Sequence, residues 1–303
     1  MIVGRSEPLD YKEVFEAIVN VTSDYVTSCG LKSMVIGLSG GLDSTVCAAI
    51  CSEVSKKTGA VLIGISLPCS TNKDDEKNSA RLAGSEFCSK YDESNIQDVF
   101  TVLERTCHGI SKIPSTPISQ GNIKARLRMI MLYDIAAQNK GIVIDTDNLT
   151  EHYLGFFTVN GDVADFNPIG NLWKTEVYGL AKYMFENIFK GSEALKAAIE
   201  ITPTDGNGVS NSDLDQIMPG YTYSDVDNIL MCWVPLNNSI KEMYIKQGFN
   251  QKGTVFSKLV DKYGEDNVKR VIMRSVNSEF KRYPHPIPID IFRKDIVKRI
   301  EIE

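Results

Sequence analysis

The sequence predicts an α/β fold in which a doubly wound parallel sheet is flanked by helices. Three observations carry that prediction. Residues 34–38, 60–67 and 141–145 are almost wholly apolar runs of strand length, the pattern of strands covered on both faces. Helix-length stretches separate them, so each return to the sheet needs a crossover, and right-handed crossovers give parallel strands. The first run ends in Leu38-Ser39-Gly40-Gly41-Leu42-Asp43-Ser44 and passes directly into the helix-like Thr45-Val46-Cys47-Ala48. That order is strand, tight turn, helix.

Each element has a local reason. Asp10 can cap a first helix whose apolar positions Val14, Ile18, Val21 and Tyr25 form a stripe, with Gly30 beyond its end, and the stripe is expected to pack on the sheet. The helix after the turn is expected to reach residue 57, with Gly59 as terminator. Residues 74–90 read as a helix, a short strand or turn follows near Ile96, and residues 109–121, with Pro114 and Pro117, read as a mobile connection. A helix over 122–139 then feeds the strand at 141–145. Beyond Asp225 the chain reads as mostly helical, with helices at 226–231 and 268–280 and a mixed-charge run at 291–303.

A chain of 303 residues with 43% hydrophobic content can bury one large core or two modest ones, and residues 1–303 read as one domain with a mostly helical part from about 225. The net charge of −6 argues against a nucleic-acid partner, which calls for a basic footprint. The start, Met1-Ile2-Val3-Gly4-Arg5, has no apolar signal core, and no later segment has the length of a membrane span. A soluble, cytoplasmic protein is expected. The 7 cysteines are dispersed without a CxxC pair, and Cys47 and Cys51 sit among Ala48, Ala49 and Ile50, so they read as reduced core thiols. His108, His152 and His285 form no HExxH pattern and receive no catalytic role.

Chemistry concentrates at two places. At Gly37 to Ser44 two glycines let the backbone turn sharply, so that N–H groups and a helix N-terminus converge on an anion, here a polyphosphate. The turn has no Walker A lysine, and no GxGxxG fingerprint is present, which sets aside P-loop hydrolysis and Rossmann hydride transfer. The bland alternative is a capped helix start, with Asp43 or Ser44 as cap. The second place is Asp145-Thr146-Asp147-Asn148-Leu149-Thr150-Glu151. By itself it reads as a capping box, Asn148 with Glu151. On the same sheet edge as Asp43, Glu151 becomes a second hard oxygen ligand, suited to Mg²⁺ on nucleotide phosphates.

The Ser39-Gly40-Gly41-Leu42-Asp43-Ser44 turn resembles the pyrophosphate loop of the ATP pyrophosphatase (PP-loop) superfamily. Further blocks follow it in order: Gly121-Asn122-Ile123-Lys124-Ala125-Arg126-Leu127-Arg128-Met129; Thr146-Asp147-Asn148 through Glu151 to Gly155-Phe156-Phe157-Thr158; and Gly161-Asp162-Val163-Ala164-Asp165-Phe166-Asn167-Pro168 through Lys174. With Pro203-Thr204-Asp205, the stretch from Ser212 to Tyr223, and Phe280-Lys281-Arg282, they make the chain similar to the ammonia-dependent NAD synthetases. The resemblance implies an adenine-nucleotide α-hydrolase-like fold. It also implies a homodimer with the dinucleotide near the subunit boundary, and a reaction joining nicotinic acid adenine dinucleotide, ATP and ammonia into NAD, AMP and pyrophosphate through an acyl adenylate.

By the same resemblance, Gly37, Leu38, Ser39, Gly40, Gly41, Leu42, Asp43 and Ser44, with Thr146, Lys174 and Thr204, would hold ATP; Asp43 and Lys174 would be catalytic. Asp43 and Glu151 would ligate Mg²⁺. Arg126, Val159, Asp165, Phe280 and Lys281 would face the dinucleotide. Three departures stand out. Val159 replaces a usual lysine, Asp145 a usual glycine and Ser66 a common arginine, each making the surroundings of an anionic substrate less positive. The segment before Ser39 has room for one helix and one strand but not for an amidase domain, so free ammonia, or ammonia handed over by a separate protein, is the expected nitrogen source. Other PP-loop adenylating enzymes, such as a GMP synthetase ATPase subunit or a tRNA thiolase, remain alternatives, as does a module that senses ATP without splitting it. A tRNA thiolase calls for a basic face and paired cysteines, and a GMP synthetase subunit leaves the Gly155-Phe156-Phe157-Thr158 block unexplained.

Overall fold

The computed structural model describes residues 9–201, 214 and 217–283. Strands β1 (Ser33–Gly37), β2 (Val61–Ser66), β3 (Lys90–Glu93) and β4 (Gly141–Ile144) form one parallel sheet in the order β3-β2-β1-β4. Alternation along β1 sends Met34 and Ile36 to one face and Val35 to the other. The first face carries α2 (Leu42–Thr58), on which α1 (Tyr11–Ser28), α7 (Lys174–Tyr183) and α8 (Glu193–Glu200) pack in turn; the second meets α5 (Pro117–Gln138) through Met129, Leu132 and Ala136. Helices on both faces make the sheet doubly wound, and both faces of β1 are buried, as its apolar run requires.

A third apolar cluster joins α6 (Leu149–Leu154) to the helices α9 (Tyr223–Trp233), α10 (Asn238–Gln247), α11 (Val255–Tyr263) and α12 (Glu265–Asn277), around Leu154, Val226, Leu230, Phe256 and Ile272. A short 3₁₀ turn, Glu279–Arg282, follows. The run at 291–303 lies outside the described residues.

Three expectations need correction. The α1 stripe is rotated: Phe15, Thr22, Ser23 and Val26 are buried, whereas Val21 is 62% and Tyr25 37% exposed, and the helix packs on α2 and α7, not on the sheet. The hydroxyls of Thr22 and Ser23 bond back to the carbonyls of Ile18 and Val19, so two polar residues occupy the buried stripe and hide it from an apolar count. The supposed connection at 109–121 is mostly helix. Here α4 (Gln97–Ser111) runs through Gly109, and Pro117 opens α5 at its first turn, where proline is at home, behind a Thr116/Ser119 capping box. The short strand lies at Lys90–Glu93, and Ile96 is instead the N-cap of α4, while α3 (Asp74–Phe87) ends earlier than 90.

Candidate active site

The turn after β1 is held from both sides. Gly40 has φ +84°, and a Cβ there would lie 2.0 Å from the Glu76 carbonyl oxygen of α3, so only glycine fits. Gly41 caps α2 with extended backbone and brings no side chain to the helix start. The Ser39 hydroxyl accepts the Gly41 N–H at 3.2 Å and lies 3.1 Å from the Ser44 hydroxyl, while Thr45 bonds the Gly41 carbonyl at 2.9 Å. The result is a fixed turn presenting a helix N-terminus, the arrangement that attracts an anion.

The adjacent strand β4 brings the second arm to the same edge. Asn148 caps α6 with its carbonyl oxygen on the Glu151 N–H at 3.1 Å, and Glu151 Oε2 returns to the Asn148 N–H at 3.1 Å. The amide of Asn148 donates to Asp43 Oδ1 at 3.0 Å, tying the start of α6 to the start of α2. The other oxygens of the two carboxylates meet one cation: Lys174 Nζ, from the first residue of α7, bonds Asp43 Oδ2 and lies 3.3 Å from Glu151 Oε1. Lys174 is 3% exposed. Burial alone would pull its proton affinity down, but Asp43 and Glu151 outweigh it and hold the ammonium well above the usual lysine range. Glu151 therefore divides its oxygens, one closing the capping box and the other facing the Lys174 ammonium.

A cleft of about 970 Å³, including its open mouth, lies beyond the ends of β1, β2 and β4, where ligands of such sheets bind. Ser39, Ser66, Thr146, Arg128 and Lys77 line it, together with Asp147. Asp147 Oδ2 is buried without a hydrogen-bond partner, and burial, then Asp145 and Glu151, push its carboxyl well above the ordinary range. Asp145 does not face the cleft as a bare charge. It accepts from the Asp147 N–H at 2.7 Å, the Ala164 N–H at 2.9 Å and the Asn167 amide at 3.1 Å, joining the two loops that bound the cleft. Near Ser66, Arg128 donates to the Leu67 carbonyl at 3.0 Å and so brings a guanidinium to the corner that Ser66 leaves neutral.

The expected dinucleotide residues sit apart from this charged knot. Arg126 is exposed and donates to the Val159 carbonyl at 3.1 Å. Asp165 accepts the Val143 N–H at 2.9 Å and the Tyr133 hydroxyl at 3.0 Å, along the edge of β4. Phe280 is 59% exposed. Lys281 donates to the carbonyls of Gly155 and Phe157 at 2.7 and 2.6 Å, and burial followed by the charge of Arg274 lowers its proton affinity. Thr204 lies outside the described residues. Residue reading missed the Asn148 amide on Asp43 and the cleft roles of Arg128 and Asp147; the capping-box pattern was the available signal for the first.

A parallel sheet whose first strand feeds a glycine turn and a bare helix N-terminus, with an ammonium and two carboxylates at the same edge, defines a nucleotide-using α/β enzyme of the PP-loop type. Residues 14–283 match the NAD synthase family, and the chain belongs to it. The NH(3)-dependent NAD(+) synthetase of Helicobacter pylori is 32% identical over 274 residues, 90% of this chain and 94% of the relative. That of Wolinella succinogenes is 30% identical over 276 residues, 89% and 95% of the two chains. Among solved structures, the NMN synthetase from Francisella tularensis superposes with a TM-score of 0.70 at 26% identity, covering 93% of this chain and 100% of that one.

Proposed function

We propose that this enzyme amidates nicotinic acid adenine dinucleotide to NAD with ammonia at the expense of ATP. The observation that carries the reading is the Lys174 ammonium held between Asp43 and Glu151 at the mouth of the glycine turn. A nicotinate carboxylate is a poor electrophile. Its oxygen attacks the α-phosphorus of ATP, pyrophosphate leaves, and ammonia then attacks the acyl carbon of the adenylate, releasing AMP. No protein nucleophile is needed. The turn and the α2 N-terminus hold the phosphates, Thr146 contacts the nucleotide from the opposite wall, and Lys174 neutralises charge on the departing diphosphate.

Two carboxylates at one edge suit a hard divalent cation that takes its remaining ligands from phosphate and water, and the described residues contain no group of three or more His, Cys, Asp or Glu side chains placed to cage a metal. Asp43 and Glu151 would hold Mg²⁺, which supplies charge neutralisation on the phosphates. Arg126, Val159, Asp165, Phe280 and Lys281 form the acceptor side, and the resemblance assigns Thr204 to ATP binding.

A second reading concerns the acceptor. The likeness to an NMN synthetase over the whole of that chain, with Val159 where the dinucleotide-facing lysine usually stands, favours nicotinic acid mononucleotide as an alternative substrate. A homodimer forms through an exposed apolar face shared by α4, α5 and the link between them: Val99, Val102, Ile110, Ile113, Ile118 and Ile130, of which Ile110 is 80% exposed. Among the described residues no helix is long and apolar enough to cross a membrane, and all the cysteines are free thiols, which suits a reducing cytoplasm.

The test is incubation of the purified chain with ATP, Mg²⁺, ammonium and each nicotinate nucleotide. NAD with stoichiometric AMP and pyrophosphate is expected from the dinucleotide; faster amidation of the mononucleotide establishes the second reading. Equal rates with glutamine in place of ammonium, or ATP binding with no pyrophosphate released, overturn both.

A further inference from the structure

Behind Glu151 and Lys174 lies a buried network that the glycine turn does not explain. Asp227, on α9, is 1% exposed. Its Oδ1 accepts the Thr150 hydroxyl at 2.6 Å, and its Oδ2 accepts the Thr175 N–H at 2.9 Å and the Thr175 hydroxyl at 2.7 Å. Thr150 Oγ1 in turn accepts the Lys174 backbone N–H at 2.8 Å. The directions are fixed by chemistry. A backbone N–H can only donate, so Thr150 accepts from Lys174 and passes its own proton to Asp227. Each of the three groups hydrogen-bonded to the carboxylate donates, an arrangement that the ionised form, accepting on both oxygens, satisfies as it stands.

Thr150 precedes Glu151 in the first turn of α6, and Lys174 and Thr175 open α7. We propose that Asp227 is a positioning residue for the reaction: by accepting from Thr150 and Thr175 it clamps the starts of α6 and α7 together and thereby aims the Lys174 ammonium between Asp43 and Glu151. This rests on the assignment of those three side chains to catalysis. The clamp comes from the C-terminal helices, so the charge on the nucleotide edge is set by a layer more than fifty residues later in the chain than the groups it aims.

Protonation state follows from the same surroundings. Burial pushes the Asp227 carboxyl up to about 6, against the opposing bonds from Thr150 and Thr175 and with a further push from Glu176 of α7. From α6 it faces Thr150; α11 and α12 pack on α9 through apolar residues such as Val260, Val268 and Ile272. As pH falls through about 6, the carboxyl gains a proton and a threonine hydroxyl must turn from donor to acceptor to receive it, so the clamp loosens and kcat falls. Stability moves the other way. The folded value lies above the unfolded one of about 3.9, so the native state binds the proton more tightly, and this group's contribution to stability grows as pH falls from about 6 to about 4. Acid loss of activity through Asp227 is therefore not acid unfolding.

Kinetics and thermal unfolding of the parent, Asp227→Asn, Thr175→Val, Thr175→Ser and Lys174→Ala, measured from about pH 5 to about pH 8, test the proposal. Asp227→Asn should lower kcat about 10- to 100-fold while the KM for ATP stays within about threefold, and should remove the acid limb of the kcat profile near pH 6. Thr175→Val should lower kcat in the same sense and Thr175→Ser should restore it. If Asp227→Asn, or Thr175→Val should the former not fold, keeps the parent's kcat and acid limb while Lys174→Ala is inactive, the proposal is wrong and the site assignment stands. Parental activity in Lys174→Ala overturns both.

Discussion

The proposed nucleotide side and the proposed acceptor side of the site are built on opposite plans. Around the glycine turn the charges are little exposed and over-determined: Lys174 is 3% exposed, Asp43 answers to both Asn148 and Lys174, and Glu151 serves helix and ammonium at once. On the acceptor side Arg126 is exposed and reaches one carbonyl, and Phe280 is 59% exposed. The difference teaches where each kind of specificity resides. Charge fixed before the substrate arrives costs no reorganisation when the diphosphate departs, which favours rate. An open surface with few contacts leaves the identity of the acceptor to a small number of side chains. Substitutions on the two sides accordingly have different consequences. Asp145 is absorbed by three donors and Ser66 is backed by Arg128, whereas Val159 offers the acceptor side only its backbone carbonyl to Arg126.

The contrast breaks first at Lys174. Lys174→Ala should lower ATP-dependent pyrophosphate release by about 10²- to 10³-fold and lower the melting temperature, because two partly buried carboxylates lose their shared cation; a rate within a few-fold of the parent would place catalysis elsewhere. Gly40→Ala comes next. A Cβ at φ +84° and 2.0 Å from the Glu76 carbonyl should cost about 1 to 3 kcal/mol or more by thermal unfolding, whereas Gly59→Ala, with φ +75° and nothing within 4 Å, should cost only about 1 kcal/mol. Arg126→Ala sharpens the other side: the KM for the nicotinate nucleotide should rise about tenfold with the KM for ATP nearly unchanged. Smallest is Val159→Lys. Measured as the ratio of kcat/KM for dinucleotide over mononucleotide, it should shift a few-fold toward the dinucleotide, since one exposed charge near an anion is worth about 1 kcal/mol.

Much of this was legible in the residues, and the gaps have physical causes. The apolar runs located three strands to within a residue or two because a strand buried on both faces admits few polar side chains. The fourth, Lys90–Glu93, is polar, half exposed and at the sheet edge, and carried no such mark. Pro114 and Pro117 suggested a break where Pro117 in fact starts a helix, because proline at the first turn and proline in a loop look alike without the capping partner. Of the site, Asp43, Glu151 and Lys174 were readable from motifs and do converge. Asp227 was not: an aspartate inside Val226-Asp227-Asn228-Ile229 gives no sign that it is buried until α6 and α7 are seen against it.

The pairing of β1 with β4, Ile36 beside Ile144, has a consequence for how such a site tolerates change. Asp43 and Asn148 are 105 positions apart in the chain yet meet because two neighbouring strands end level with one another. Slippage of β4 by a single residue would shift its exit by roughly 3.3 Å and turn its side chains to the wrong face, more than enough to part a 3.0 Å bond. Lengthening the surface link at 112–116, by contrast, leaves that alignment untouched. Alignment, not spacing along the chain, is the quantity evolution must hold constant here.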